Sequence, residues 1–290
     1  MSMTRSLVPV TAVLLAIVAA WYIACIPMNW SWTSDQLARS GGTMTLGERV
    51  VDAWSQTRPR LPAPHQVIAE LWRSTMVLAP TSKRSLIYHG AVTLEATLLG
   101  FVFGTALGIL LAVGIVHNKA MDMSVMPWAI ISQTIPIIAI APMIIVVLYS
   151  VGVQGIIPKA IISGYLSFFP VVVGMVKGLR SPDSMQLDLL RTYSATPAQG
   201  FWKLRLPSSM PYLFASLKIG VAASVVGAIV GELPTGAVRG LGARLLAGSY
   251  YGQTIQIWSA LFAAAILAAG LVAIIGVVER LTLRRMGVSA

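Results

Sequence analysis

Long apolar runs alternate with short polar stretches along this chain, and within each run the apolar residues are nearly continuous. A helix that crosses a hydrocarbon layer needs about 20 mostly apolar residues. It must also bond all its backbone groups internally, because no water is there to satisfy them. About six stretches qualify: residues 7–28, 89–116, 125–149, 156–176, 212–233 and 255–278. Residues 29–88 hold too many charges to span and read as a surface segment with short interfacial helices. Within it, residues 66–78 have helical spacing suited to lying on the membrane or on the bundle. The pattern predicts an all-α integral membrane protein, a bundle of about six transmembrane helices. It falls into a first helix (1–28), an extracytoplasmic segment (29–87) and a core (88–290) whose long polar loop covers about residues 177–210.

The first run has a second interpretation. Val18-Ala19-Ala20 resembles a leader cleavage site, and a lipid-anchored form ending at Cys25 is a weaker variant of it. The apolar stretch continues through Trp21, Tyr22 and Ile23, which favours an uncleaved span.

Composition agrees with the pattern: of 290 residues 56% are hydrophobic and only 11% charged, and the mean hydropathy is +0.78. The net charge of +11 would suggest nucleic acid in a soluble protein. Here the positive residues gather beside apolar runs instead, as cytoplasmic flanks do. No nucleic-acid partner is expected; the bilayer is. With the N-terminus inside, the cytoplasmic side holds Arg5, Lys119, Lys177, Arg180, Arg191, Lys203, Arg205, Arg280, Arg284 and Arg285. The short outer loops hold only Lys159, Arg239 and Arg244. Both termini and the 177–210 loop are therefore expected in the cytoplasm. Arg239 and Arg244 are placed either to attract an anion or to meet a delivery protein.

The sequence excludes much chemistry. A single cysteine, Cys25, leaves no disulfide and no paired-cysteine metal site, and His65, His89 and His117 are far apart in sequence. No Gly-x-x-x-x-Gly-Lys-Ser/Thr loop occurs to cradle a nucleotide, and no nucleophile–base arrangement suggests an enzyme. No cofactor is expected.

Four groups of residues stand out. In the cytoplasmic loop, Thr196, Pro197 and Gln199 fit a helix start with a hydroxyl cap, an early proline and a capping-box partner. Pro207 and Pro211 are expected to end that short helix before the next span. Such a rigid helix at the membrane surface suits docking to a partner; the bland alternative is a linker resting on the bilayer. In the third run, Ser132, Gln133 and Thr134 precede Pro136, and Pro142 follows. Prolines there free carbonyls that protein or water must satisfy, so this helix is expected to line a pathway, unless the kink serves packing alone. Glu232 is a pathway candidate at membrane depth or a residue of the outer interface, and Glu95 either lines the pathway or pairs with a neighbouring helix. Gly100, Gly104 and Gly108, spaced by four, form a small-residue face for close helix packing, within the protomer or at a subunit interface.

The loop resembles the cytoplasmic Glu-Ala-Ala loop of the type I ABC importer permeases. Asp188 takes the glutamate position, Leu189 and Leu190 the alanines, and Ser194 the glycine, with Ala195, Thr196 and Pro197 following. Leu204, Leu206 and Pro207 match the Ile-x-Leu-Pro ending. The spacing from Asp188 to Pro207 is kept, while the alanines and the glycine are replaced. Further segments resemble the nitrate/sulfonate/taurine-type branch: Leu61-Pro62-Ala63-Pro64-His65-Gln66-Val67, Ile135-Pro136 with Ala141-Pro142, and Val230-Gly231-Glu232. Together they cover about residues 60 to 285.

The resemblance implies a permease subunit that forms the translocation pathway for a small solute in the bacterial inner membrane. Its loop would fit a cleft in a cytoplasmic ABC ATPase, which alone uses ATP. The other implied partners are a second permease copy or a sister permease, and a periplasmic or lipid-anchored solute-binding protein. Solutes of the branch include nitrate, sulfonates, taurine and pyrimidine-like or riboflavin-like compounds. The alternative is an ATPase-independent channel or secondary transporter, which calls for coupling-ion residues within the spans. A third is a membrane scaffold that transports nothing.

Overall fold

The computed structural model of the chain describes residues 3–40, 43–234 and 239–287; the side chain of Arg5, one of the orienting positive residues, lies outside them. Twelve α-helices and two π-helical turns account for its regular structure, and among the described residues there is no strand. The helices are α1 (Met3–Ser40), α2 (Leu46–Ser55), α3 (Pro64–Trp72), α4 (Leu86–His117), α5 (Lys119–Ser132) and α6 (Ile137–Ser150). They continue with α7 (Ile156–Leu179), α8 (Ser184–Thr192), α9 (Pro197–Gly200), α10 (Leu206–Glu232), α11 (Leu241–Tyr250) and α12 (Thr254–Arg285). Among the described residues, five helical stretches are long and apolar enough to cross a membrane, and the α5–α6 pair makes a sixth if it is one span.

Contacts divide the chain into two units, residues 1–89 with 244–263 and residues 90–243 with 264–290. In the first unit α1 does not stop at Met28, where its apolar run ends, but continues to Ser40. Asn29 explains why. Its Nδ2 donates to Ala53 O at 2.8 Å and Leu61 O at 2.9 Å, and its Oδ1 accepts from the Arg60 and Leu61 amides at 2.9 and 3.1 Å. One turn further, Thr33 donates to Asp52 at 2.7 Å. Residues that look like an exit into water are the side of α1 that binds the segment 45–61. Higher on α1, Trp21 donates to Pro62 O at 3.0 Å and packs against Trp258 and Phe262. The helix α2 starts on a reciprocal cap between Thr45 and Glu48. The backbone amide and hydroxyl of Thr45 hold the Glu48 carboxyl below its usual pKa.

In the second unit α7 is the central helix, packed on α10 and on α4. The contact surfaces are small. A Cβ on Gly100 would fall 2.5 Å from Ala160 O, one on Gly104 2.1 Å from Ser167 Oγ, and one on Gly108 2.9 Å from Phe168 O. On the other face Gly174 meets Ser216 and Gly227 meets the Ser163 backbone at similar range. Hydroxyls lace the seam: Ser163 and Ser224 lie 2.6 Å apart, and Ser224 donates to Thr97 O at 3.0 Å. In a bilayer, where apolar burial does not drive helices together, such close approach and interhelical bonding hold a bundle.

The third apolar run departs from expectation. It is not one helix: α5 and α6 meet at 101° across a break at residues 133–136. Pro136 stands at the head of α6 with extended backbone angles, and a residue before proline is pushed out of the helical region. The second correction concerns Pro207 and Pro211. Neither ends a helix: the chain runs as one helical stretch from Pro197 to Glu232. A π turn at Phe201–Arg205 lets the Leu206 amide reach Phe201 O. That extra residue shifts the bonding register just where Pro207 has no N–H to give.

Candidate functional site

The polar loop is built from local bonds. At the start of α8 the Asp183 amide donates to Gln186 Oε1 at 3.2 Å, and the Gln186 amide donates to Asp183 O at 3.1 Å. At its end Ser194 has φ +52°, and it is the only non-glycine with positive φ among the described residues. Ser194 N donates to Arg191 O at 2.9 Å and Ala195 N to Leu190 O at 3.0 Å, the paired bonds of a Schellman ending. Thr196 then caps α9, with Gln199 Oε1 accepting from Thr196 N at 2.8 Å and Thr196 Oγ1 from Gln199 N at 3.3 Å.

The loop is therefore shaped without help from outside it, yet it exposes apolar side chains. Met185 and Leu189 on α8 and Tyr193 just after it, at intervals of four, are 78%, 57% and 77% exposed, and Trp202 is also bare. Asp188 sits beside them, paired with Arg191 at 3.2 Å on the open surface. Behind the loop the anchoring is firm. Phe201, Leu206 and Leu213 pack on a buried cluster of Ala112, Ile115, Val172, Met175, Val176 and Leu179. Phe201 also meets His117 edge-on, and Arg205 donates to Leu179 O at 3.3 Å. Leu204 and Pro207 are half-buried along this stretch.

The break between α5 and α6 gathers Ser132, Gln133, Thr134 and Pro136. The Ser132 and Thr134 hydroxyls donate back to Ala129 O and Ile131 O, each at 2.8 Å. The Ser132 carbonyl, left over at the helix end, accepts from the Tyr165 hydroxyl. Pro136 and Pro142 are exposed. Beside the break lies an apolar hollow of about 890 Å3 whose walls include Leu99, Phe103, Leu107, Trp128, Ser132 and Tyr165. Glu95 is exposed on the outer side of α4.

Glu232 is in a different place. It is fully buried at the end of α10, accepting from Thr93 Oγ1 at 2.9 and 3.1 Å and from the Gly242 amide at 2.7 Å. Thr93 in turn accepts from the Leu241 amide at 2.8 Å, and Lys159 is within electrostatic reach. Gly240, at φ +119°, comes so close that a Cβ there would fall 2.2 Å from the carboxylate. The carboxylate thus joins α4, α10 and the start of α11. Thr93, Gly240, Phe201 and Tyr165 carry no local sequence signal that would have singled them out.

The chain is 34% identical over 182 residues to the formylaminopyrimidine transport permease protein ThiX of Halalkalibacterium halodurans, covering 63% of this chain and 68% of that one. It is 28% identical over 224 residues to the riboflavin transport system permease protein RibX of Chloroflexus aurantiacus, covering 77% and 80%. Its fold resembles that of a chain in the inward-facing MetNI methionine ABC transporter, with a TM-score of 0.52, 23% identity, and coverage of 67% and 91%. Residues 104–288 match the family of binding-protein-dependent transport system inner membrane components, and the chain belongs to that family as a type I ABC importer permease.

Proposed function

We propose that this permease is coupled to its ATPase through the exposed face of α8 and driven through the continuous helix from Pro197 to Glu232. One observation carries the proposal: the loop is fully capped and preformed, yet it leaves Met185, Leu189 and Tyr193 uncovered outside any apolar span. A cytoplasmic ABC ATPase with a matching cleft would cover them, with Asp188 inside the contact and Ser194, Ala195, Thr196 and Pro197 forming the corner. Because no break separates Pro197 from α10, displacement of the corner would tilt α10 as a lever. Leu204, Leu206 and Pro207 lie on that lever, and Phe201 ties it to α4 and α7.

The pathway is proposed to pass the α5–α6 break, lined by Ser132, Gln133, Thr134, Pro136 and Pro142. A second permease copy or a sister permease would close it. Glu232 would serve the pathway from within the protein, holding the turn at Gly240–Gly242 against α10. ATP would be bound by the partner alone, and a periplasmic or lipid-anchored solute-binding protein would deliver the solute. The positive residues Lys177, Arg180, Arg284 and Arg285 support cytoplasmic placement of the loop and both termini. The names of the two permeases compared above favour a small heterocycle, pyrimidine-like or riboflavin-like, as the solute.

The test is Asp188→Arg in the assembled transporter in vesicles, reading uptake and solute-stimulated ATP hydrolysis together. A reversed charge at a buried contact costs several kcal/mol, so uptake should fall about tenfold or more while the permease still reaches the membrane. Full uptake with normally stimulated hydrolysis would show that the loop is not the coupling element.

A further inference from the structure

A second concave site lies within the first unit. A pocket of about 340 Å3 is walled by α3 with its following π turn, the stretch into α4, the helix α11, and the turn that leads into α12. Its polar lining is Glu70, Arg73, Arg84, Arg244, Gln253 and Gln256. Three guanidinium groups thus converge on one cavity with a single carboxylate among them. That carboxylate is already committed. Arg73 grips Glu70 with both arms of its fork, Nε to Oε2 at 3.0 Å and NH2 to Oε1 at 3.3 Å. Among the described residues, Arg84 and Arg244 have no ion-pair partner.

Like charges crowded around one shared carboxylate are unfavourable, and the effect reaches Arg244. Burial, then Arg84 and Arg73, push its pKa below the ordinary arginine value against the opposing pull of Glu70. On a solvated basic surface the arms would diverge into water; here they face one hollow together with two side-chain amides. A planar guanidinium presents parallel donors that match the oxygens of a carboxylate, sulfonate or phosphate, and glutamine amides add neutral donors that orient such a group. The volume is that of a small-molecule site at the low end of the usual range of about 300–1,000 Å3.

We propose that this pocket is an anion-binding site that takes one oxyanion group, held by Arg84 and Arg244 and oriented by Gln253 and Gln256. Arg73, paired with Glu70, lines its third side. The charge pattern fits a free oxyanion solute and the phosphate of a lipid headgroup equally. The second source arises because Ile68, Trp72 and Met76 form an exposed apolar face on the outside of the same helical segment, as an interfacial helix does. The proposal does not depend on the coupling scheme above, since binding is read on the permease itself.

The experiment uses the purified full-length permease, delipidated in neutral detergent at low ionic strength. Inorganic sulfate is titrated by calorimetry, and phosphatidylglycerol against phosphatidylcholine is followed by native mass spectrometry. One of the two anionic probes should bind. Loss of a charged donor weakens such a contact about tenfold, so Arg84→Gln and Arg244→Gln should each raise the dissociation constant by that factor. Arg58→Gln, an exposed arginine outside the pocket, should leave it unchanged. Sulfate binding with this dependence identifies a free-anion site, and phosphatidylglycerol binding with the same dependence identifies a lipid site. Binding of neither probe, or binding indifferent to Arg84→Gln, overturns the proposal. Arg84 is exposed, so its substitution keeps the fold and decides the matter even if Arg244→Gln does not.

Discussion

The seam between α4, α7 and α10 and the loop from α8 to α9 are put together in opposite ways. In the seam the side chains are small and the backbones nearly touch: Gly104 stands against Gly164 and Ser167, Gly108 against Phe168 and Val171, and Gly227 against Ser163. In the loop the backbone bonds are closed locally, by Asp183 with Gln186, by the Ser194 ending and by Thr196 with Gln199. Its larger apolar side chains nonetheless point away from the protein. The seam gains its stability from contacts within the chain, whereas the loop gains only its shape. A surface that is rigid before it is covered loses little conformational entropy on docking, which is what a transmitted push requires.

If that contrast is right, the same kind of substitution should have opposite consequences in the two places. The largest effect is expected at Gly104. Even an added Cβ falls 2.1 Å from Ser167 Oγ and 2.6 Å from Gly164 O, the second a backbone atom that cannot swing aside. Overpacking of this kind costs about 1–3 kcal/mol. Gly104→Ala should therefore lower the thermal midpoint in detergent by several degrees, and Gly104→Leu should abolish the folded fraction on size exclusion. Normal behaviour of the leucine variant would mean that α4 and α7 do not approach as described.

An intermediate effect is expected at Leu189, and of another kind. It is 57% exposed, so Leu189→Glu should shift stability by no more than about 0.5 kcal/mol, as for other surface changes. Retention of the ATPase on an affinity-tagged permease should still fall about tenfold, because a charge would be carried into an apolar contact. Undiminished retention would remove α8 from the docking face. Loss of folded permease instead would show that α8 packs on its own chain, and the contrast between the two regions would collapse.

What the sequence showed of this arrangement follows the range of the forces involved. Apolar runs, the four-residue spacing of Gly100, Gly104 and Gly108, and the start signal at Thr196-Pro197-Gln199 are local patterns, and each marks the structure found there. The extension of α1 to Ser40 was hidden because Asn29 and Thr33 find their partners between residues 52 and 61, beyond any local window. The break at Pro136 was hidden for another reason: a bent pair and a straight span can share one composition. Proline at 207 reads as a stop because the rule assumes α-helical register, and the π turn at Phe201–Arg205 removes that assumption. The surroundings of Glu232 depend on Thr93, 139 residues away, and on two glycines whose value lies only in their lack of a side chain.

Ser194 offers the finest adjustment of the comparison. The loop pattern that this segment resembles has glycine here, and the geometry of the position offers a physical reason: it closes α8 in the left-handed region, at φ +52°. An L-residue with a Cβ is disfavoured there by roughly 1–2 kcal/mol. Glycine escapes that strain but gives up about 0.5–1 kcal/mol through the greater freedom of its unfolded state. The balance favours Ser194→Gly by about 0.5–1 kcal/mol, all of it local to the corner. The reporter is the Ala195 amide, bonded to Leu190 O at 3.0 Å only while the corner is closed. Its hydrogen exchange should slow about two- to fivefold in the glycine variant, following that free energy. Ser194→Val, whose branched Cβ tolerates positive φ worst, should speed it. Faster exchange in the glycine variant would mean that the serine hydroxyl, and not backbone geometry, holds the corner. The loop would then not be preformed in the sense that separates it from the seam.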